Sequence, residues 1–261
     1  MIKYRLVDID SLLYKSAARG LETIEIQKGY FIDAFNLEKG MQNMTDILEP
    51  LNGENIKLLL FGNNINLDNR FNFRKIINPE YKANRSNLRP PVGLNLLIEK
   101  FYNSNEVQQC EYYNETDDAI SYAFKGIKDR GLLAEIVSID KDFNTLDDVL
   151  NPMTLESCKK DEMFWYKQAM QGDAADGIKG IKGMGAVAVK NAFKDINSKE
   201  EAESMLIDIY KSKKLDLLDL YRDFFCLSLN HRYDYETNSL YCNAFEVESK
   251  VNLTEKEWTI S

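Results

Sequence analysis

Histidine is almost absent from this chain: its 261 residues contain one, His231. Serine–histidine–aspartate and cysteine–histidine catalysis both need an imidazole, and this one sits in a polar NHRYDY stretch near the C-terminus. Both mechanisms are therefore set aside, together with histidine-rich zinc chemistry. The four cysteines, at 110, 158, 226 and 242, make no close C-x-x-C pair. Neither zinc nor a disulfide framework is expected, and the cysteines read as the reduced thiols of a cytoplasmic protein. No run approaches the ~18 consecutive apolar residues of a membrane-crossing helix. The N-terminal MIKYRLVDID carries no apolar segment of the secretory kind. Internal repeats and low-complexity segments are missing too.

What is present is acid. Forty-two Asp and Glu face 33 Lys and Arg, for a formal net charge of −9. With histidine removed from the chemistry, carboxylates, lysines, arginines and tyrosines are the groups left to act. Oxygen-ligated Mg²⁺ or Mn²⁺ is the natural cofactor of such a set. The charge is unevenly spread. Between Asn69 and Lys100 stand Arg70, Arg74, Lys75, Lys82, Arg85, Arg89 and Lys100 against only Glu80 and Glu99. Between Gly177 and Lys194 the charged residues are Lys179, Lys182, Lys190 and Lys194, with no acid. Two basic islands in an acidic chain suggest local phosphate contacts.

A 44% apolar content supports a sizeable core. Residues 2–9 read as a strand and SLLYKSAARG as a helix; TIEIQ and GYFID read as a hairpin, followed by a helix over about 34–49. NIKLLLF is a buried-type strand, RFNFRKI a short extended piece, and GLNLLIEKFYN a helix announced by Pro90 and Pro91. EVQQCEYY and LLAEIVSID read as strands around the helix TDDAISYAFKGIKDRG. This alternation over residues 1–150 predicts an α/β domain built on a parallel sheet. Beyond residue 160 strand signals thin out, and DEMFWYKQAMQG, AVAVKNAFKD, KEEAESMLIDIYKS and LDLLDLYRDFFCLSL all have helical spacing. A helical region, 159–261, is expected to follow a core at 1–158.

Ligands of open parallel sheets collect at the carboxyl ends of the strands, and acids cluster there. Asp8 and Asp10 end the first strand, Glu115, Asp117 and Asp118 straddle a strand end and a helix start, and Asp140 and Asp142 follow LLAEIVSI. Asp173 and Asp176 form a fourth set in QGDAAD. Any one cluster is explained by helix capping. Three at the ends of one sheet would repel unless cations neutralised them. Two Mg²⁺ ions about 4 Å apart would absorb that charge and suit hydrolysis of a phosphodiester.

The stretch GIKGIKGMG has glycine at 177, 180, 183 and 185. It lacks the G-K-[ST] ending of a nucleotide P-loop and has no strand before it. It falls between two helical segments, where glycines permit a tight turn that aims backbone N–H groups outward. Phosphate oxygens can accept those bonds, with Lys179 and Lys182 adding charge. An ordinary helix–turn with glycine caps is the plainer alternative.

In order along the chain, LVDIDSLLY, FRKIINPEYKANR with PPVG after it, ETDDAI, SIDKDFNTL and MQGDAADGIKGIKGMGAVAVKNAF resemble the 5′→3′ exonuclease and flap endonuclease family, especially short phage exonucleases. The resemblance covers most of residues 4–195. It implies a PIN-like α/β nuclease core at 1–158 and a region at 159–261 bearing a helix–hairpin–helix. It implies two or three divalent ions, with Asp8, Glu115, Asp117, Asp118, Asp140, Asp142, Asp173 and Asp176 as ligands; Asp10 is less uniformly a ligand in the family. Lys82 and Arg85 would contact the scissile phosphate and Tyr81 would stack on a terminal base. Lys179, Gly180, Lys182, Gly183 and Gly185 would grip DNA, with K⁺ as a further ion at the hairpin. One departure stands out. Relatives carry an aspartate after the second strand, where this chain has FGNN, so Asn63 or Asp68 would have to substitute.

The expected activity is Mg²⁺-dependent cleavage of branched, nicked or 5′-ended duplex DNA, and of RNA in RNA–DNA hybrids, in the cytoplasm of a bacterium or phage-infected cell. Two rivals follow from the same residues: a non-catalytic binder of branched DNA with a degenerate site, and a phosphatase of the haloacid-dehalogenase type. The second would use the D-x-D of VDIDSLL but lacks the usual Gly-Thr after it and leaves the hairpin unexplained.

Overall fold

The computed structural model describes residues 1–63, 72–87, 89–110, 114–229 and 231–261. Its centre is a five-stranded parallel sheet of order β5-β4-β1-β6-β7, from β1 (Lys3–Asp8), β4 (Ile56–Gly62), β5 (Val107–Gln109), β6 (Leu133–Val137) and β7 (Val149–Leu150). The strands most deeply placed are β1, β4 and β6, and their paired residues show why two layers of helix cover them. In register, Leu6 lies beside Leu59 and Ile136, and Val7 beside Leu60 and Val137. Successive side chains of a strand point to opposite faces. Leu6, Phe61 and Ile136 accordingly enter one apolar cluster, and Val7, Leu60 and Val137 the other.

The second cluster is closed by α1 (Ile9–Arg19), α2 (Leu37–Leu48) and α4 (Leu94–Ser104), through Leu12, Leu13, Ala17, Met44, Leu97 and Phe101. The first is closed by α5 (Thr116–Asp129) with Ile120 and Phe124, and it runs on without a break into the C-terminal half. There α6 (Phe164–Gln171), α7 (Ala186–Ala192), α8 (Lys199–Ser212) and α9 (Leu217–Leu227) contribute Met170, Val189, Leu206 and Phe225. The α/β reading and the helices beyond residue 160 agree with this architecture. Among the described residues, no helix is long and apolar enough to cross a membrane.

Three local expectations are corrected. The chain after α9 is not helical: β8 (Arg232–Asp234), β9 (Ser239–Ala244), β10 (Val247–Asn252) and β11 (Glu257–Ile260) form an antiparallel sheet of order β11-β10-β9-β8. Leu240, Val251 and Leu253 bury its inner face in the large cluster. RFNFRKI is not extended throughout, because Arg74–Ile77 is a short helix, α3, whose first N–H donates to the Asn72 side chain at 2.9 Å. Among the described residues of EVQQCEYY the strand covers β5 alone, and residues 111–113 lie outside the described set. The hairpin of β2 (Leu21–Gln27) and β3 (Tyr30–Phe35) is as expected.

Ile136, at 0% exposure on the central strand pair, makes the core testable. Ile136→Ala is expected to lower the unfolding free energy by about 2–5 kcal/mol. Ile32→Ala, at the 46% exposed position on β3, should change it by about 0.5 kcal/mol or less. Urea unfolding followed by circular dichroism reads both.

Candidate active site

The chain runs from β1 out to β4 and β5, then returns to place β6 and β7 on the other side, so the order of the sheet reverses between β1 and β6. Open parallel sheets bind their ligands outside the carboxyl ends at such a reversal. Here those ends carry Asp8 from β1, Asn63 just beyond β4, and Asp140 beyond β6. A cavity of about 960 Å³ opens there, bordered by Asp8, Asp10, Asn63, Glu115, Asp117 and Asp140.

Asp8, Asp140 and Asp118 also have the local role that capping alone would give them. Asp8 caps α1, accepting from the Asp10 N–H at 3.2 Å and the Ser11 hydroxyl at 3.0 Å. The Ser138 hydroxyl, from the far side of the reversal, donates to Asp8 at 2.9 Å. Asp140 caps the turn at Lys141–Thr145 through the Asp142 N–H. Asp118 accepts from the Glu115 N–H at 3.0 Å, closing the first turn of α5. Capping and convergence are thus not rivals: placing a helix start at a strand end requires a cap, and a carboxylate supplies one.

The acids divide into two groups by what neutralises them. Asp118 forms a two-bond ion pair with Arg74, at 2.7 and 2.8 Å. Lys82 grips both oxygens of Glu115, at 2.6 and 2.8 Å. Arg85 reaches Asp176 at 2.9 Å, and Lys141 reaches Asp173 at 2.8 Å. Among the described residues, Asp8, Asp117, Asp140 and Asp142 have no ion pair, although they lie in or beside the same cavity.

Electrostatics follow that division. Burial, then the neighbouring charges of Asp10 and Asp140, push Asp8 up to about 6. Burial, then Asp140 and Asp176, push Asp142 up to about 7. Burial, with Asp118 and Glu115 beside it, raises Asp117 well above the carboxylate range. Burial would raise Asp118 as well, but the Arg74 guanidinium outweighs it and holds that carboxyl low. Glu115 is likewise lowered, Arg74 and Lys82 overcoming its burial. Among the described residues no three of these carboxylates stand at ligand spacing about a single point. The donor set nonetheless suits a divalent ion: hard oxygen donors at one sheet edge repel one another when ionised, and a bound cation would relieve that repulsion.

The glycine-rich stretch is a hairpin between α6 and α7. Asp173 and Ile178 exchange backbone hydrogen bonds at 2.8 and 2.9 Å, and the Ile181 N–H donates to Met170 at 2.8 Å. Ile178 and Ile181 are buried, so the turn is anchored by its apolar residues. Lys179, Lys182, Gly183 and Gly185 are exposed. Among the described residues, the N–H groups of Lys182, Gly183 and Gly185 have no acceptor within the protein. Gly180 is used differently. Its φ is +63°, and a Cβ there would stand 2.2 Å from the Gly172 nitrogen, so this glycine permits close packing of the hairpin on the end of α6.

The PEYKANR loop is docked on that hairpin. Lys82 donates its N–H to the Asp176 carbonyl at 3.0 Å, and Arg85 Nε donates to the Ala175 carbonyl at 3.0 Å. Lys82 has φ +55°, a left-handed backbone that a lysine adopts only when its surroundings hold it.

Two expected roles are corrected. Tyr81 is 2% exposed and its hydroxyl donates to Glu115 and Asp176 at 3.1 and 3.3 Å, so its ring is not available to stack on a base. Asp118 does not border the cavity; Arg74 and the buried His231 ring, 3.7 Å away, enclose it instead. Asn63 does border the cavity, donating its N–H to Asp10 at 3.1 Å and accepting from Thr116 at 3.2 Å. Asp68 lies outside the described residues. Tyr14 and Lys15 on α1 border the cavity without having been singled out in the sequence, and Lys75 on α3 borders it as a member of the first basic island. Tyr14 is 51% exposed and stands four residues after Asp10, one helical turn along the same face. That spacing was the available signal.

No family model matches the chain. Over 126 residues it is 34% identical to the exodeoxyribonuclease of Enterobacteria phage T3, covering 45% of this chain and 42% of that protein. Over 126 residues it is 32% identical to the exonuclease of Escherichia phage T7, with the same coverage. The chain thus matches about two fifths of the length of these curated relatives. Among solved structures, it superposes on the T5 D15 protein co-crystallized with metal ions with TM-score 0.56 and 16% identity, over 87% of this chain and 89% of that one. The shared fold and the phage exonuclease relatives bear out the resemblance drawn from the motifs.

The raised carboxyls give the metal-free protein an unusual pH response. Asp8 and Asp142 bind protons in the folded state near pH 6–7, whereas the unfolded chain binds them near 4. Stability therefore increases as pH falls through this window. His231, lowered by burial, opposes this as pH falls through about 6.5, as one group against the raised carboxyls, and Asp118 and Glu115, with lowered values, oppose it only below about pH 5. The melting temperature in EDTA is expected to rise by about 5 °C between pH 8 and pH 5.5. Adding 10 mM Mg²⁺ should raise it at pH 8 and flatten the slope. A curve that falls on acidification over this range contradicts the charge assignment.

Proposed function

We propose that this chain is a divalent-metal-dependent nuclease that hydrolyses DNA from 5′ ends or at 5′ flaps. The observation that carries the reading is the set of carboxylates without ion pairs among the described residues, Asp8, Asp117, Asp140 and Asp142, at or beside the reversal point of a parallel sheet. The names of the curated relatives, exodeoxyribonuclease and exonuclease, support it, as does the metal-ion co-crystal of the structural neighbour. Residues 1–158 would form the cutting core and residues 159–261 the grip on DNA.

Two or three Mg²⁺ or Mn²⁺ ions would be held by Asp8, Asp117, Asp140 and Asp142, with Asp10, Glu115 and Asn63 at the margin and Asp173 and Asp176 beyond. When bound, such ions supply an activated water and offset charge on the phosphate. The protein's own cations do the rest. Lys82 and Arg85, paired with Glu115 and Asp176 in the structure, exchange those carboxylates for the scissile phosphate and neutralise the charge that develops on it. Tyr14 takes over the stacking role that burial denies to Tyr81, and Lys15 and Lys75 hold adjacent phosphates. The free N–H groups at 182, 183 and 185, with Lys179 and Lys182, bind the duplex backbone without reading its sequence. K⁺ is the candidate ion at that hairpin. RNA in an RNA–DNA hybrid presents the same phosphates and is a second substrate.

The neutral Asn63 after β4 supports a second reading, a binder of branched DNA that does not cut. A 5′-labelled flap, a nicked duplex and an RNA–DNA hybrid, each incubated with and without Mg²⁺, separate the two. Asp117→Asn and Asp140→Asn are each expected to reduce cleavage at least ~10³-fold while leaving DNA affinity in Ca²⁺ unchanged. Full turnover by either variant would refute the site. Lys82→Ala should lower kcat about 10²–10³-fold with a much smaller change in Kd for DNA. Equal losses in both would reduce Lys82 to a binding residue.

A further inference from the structure

Arg74 is among the most deeply buried polar side chains of the molecule, at 1% exposure. A guanidinium withdrawn from water is tolerated only when its donors are met. Nη1 and Nη2 reach the two Asp118 oxygens, Nε donates to the Cys226 carbonyl at 2.7 Å, and Nη2 approaches the Ser228 carbonyl at 3.4 Å. Nη1 also stands 3.5 Å from Glu115. The two carbonyls belong to the C-terminal end of α9, more than 150 residues along the chain. His231 completes the enclosure: its Nε2 contacts the Phe225 carbonyl at 3.0 Å, and its ring stacks on Phe225 and meets the edge of Phe73. The Arg74 guanidinium lies 4.6 Å over the Phe73 ring. Neither Arg74 nor His231 borders the cavity. Asp118, through the Glu115 N–H, braces the turn that presents Glu115 and Asp117 to it.

We propose that Arg74 is a positioning residue that withdraws Asp118 from the ion-binding set and locks the Glu115–Asp117 turn to the Cys226–His231 segment. This rests on the metal-nuclease reading. It divides the E-x-D-D sequence by role: Asp117 faces the ions, Glu115 faces Lys82 and the cavity, and Asp118 faces the core. It also gives the C-terminal segment, which carries no candidate ligand, a part in setting the geometry of the site. Lysine cannot replace this arginine, because one ammonium cannot span a carboxylate and two carbonyls in a plane.

The experiment measures Mn²⁺ binding to the full chain without DNA, from the paramagnetic resonance of free Mn²⁺, alongside melting temperature and steady-state cleavage. Arg74→Lys is expected to weaken Mn²⁺ about 10-fold and lower kcat, with KM for DNA unchanged. Because Asp118→Asn leaves a buried guanidinium unpaired and can unfold the chain, the double variant Arg74→Met/Asp118→Leu replaces the pair with apolar groups of similar volume. It should bind the same number of Mn²⁺ ions as the unaltered chain, and more tightly than Arg74→Met alone. Asp117→Asn should lose an ion. Loss of an ion by a folded double variant, or unaltered Mn²⁺ affinity and kcat in Arg74→Lys, overturns the proposal. Asp117→Asn binding like the unaltered chain would instead sink the metal-site reading on which it rests.

Discussion

At the carboxyl edge of the parallel sheet, acids are drawn together by the fold and only some of them receive a cation. Arg74, Lys82, Arg85 and Lys141 together neutralise Asp118, Glu115, Asp176 and Asp173, whereas among the described residues Asp8, Asp117, Asp140 and Asp142 are left with hydroxyls, backbone N–H groups and one another. The imbalance is costly in the absence of a bound ion, which is why Asp8 and Asp142 hold protons so far up the pH scale. The same imbalance makes the site receptive to hard cations and, with their charge added, to a polyanion. Stability and the proposed chemistry therefore pull against each other at one place.

The rest of the architecture serves to hold that edge in shape. β1 sits between β4 and β6, so its last residue, Asp8, is fixed from both sides by the ladder. The PEYKANR loop is anchored in the large apolar cluster by Tyr81. It is held by hydrogen bonds to the loop before the glycine hairpin, and in return it delivers Lys82 and Arg85 to the acids. The hairpin thus faces two ways: its buried isoleucines join the large apolar cluster, while the N–H groups of its exposed tip have no acceptor among the described residues.

Much of this was readable beforehand, and the failures have specific causes. The C-terminal sheet escaped notice because the turn joining β9 to β10 is Phe245–Glu246, both with positive φ, at +57° and +60°. Such two-residue turns ordinarily announce themselves with asparagine or glycine, and neither is there. The stacking role of Tyr81 was an implication of the family resemblance; burial is a property of what the loop docks against, which lies 95 residues away at Asp176. His231, in a stretch that reads as polar, is enclosed by Asp118 and two phenylalanines.

Local order is what the amino-acid sequence determined by itself: alternation that sorts Leu6 from Val7, acids at strand ends, and glycines where the turn needs them. These follow from periodicities of two and 3.6 and from backbone sterics, which act between near neighbours. Tertiary structure alone decided which carboxylates are neutralised and which are not. Pairing depends on distance and on exclusion of water, and both are set by chain segments far apart in sequence. Glu115, Asp117 and Asp118 look equivalent as E-x-D-D. They become a gripped acid, an unneutralised acid and a core brace only when Lys82, the open cavity and Arg74 arrive from elsewhere in the fold.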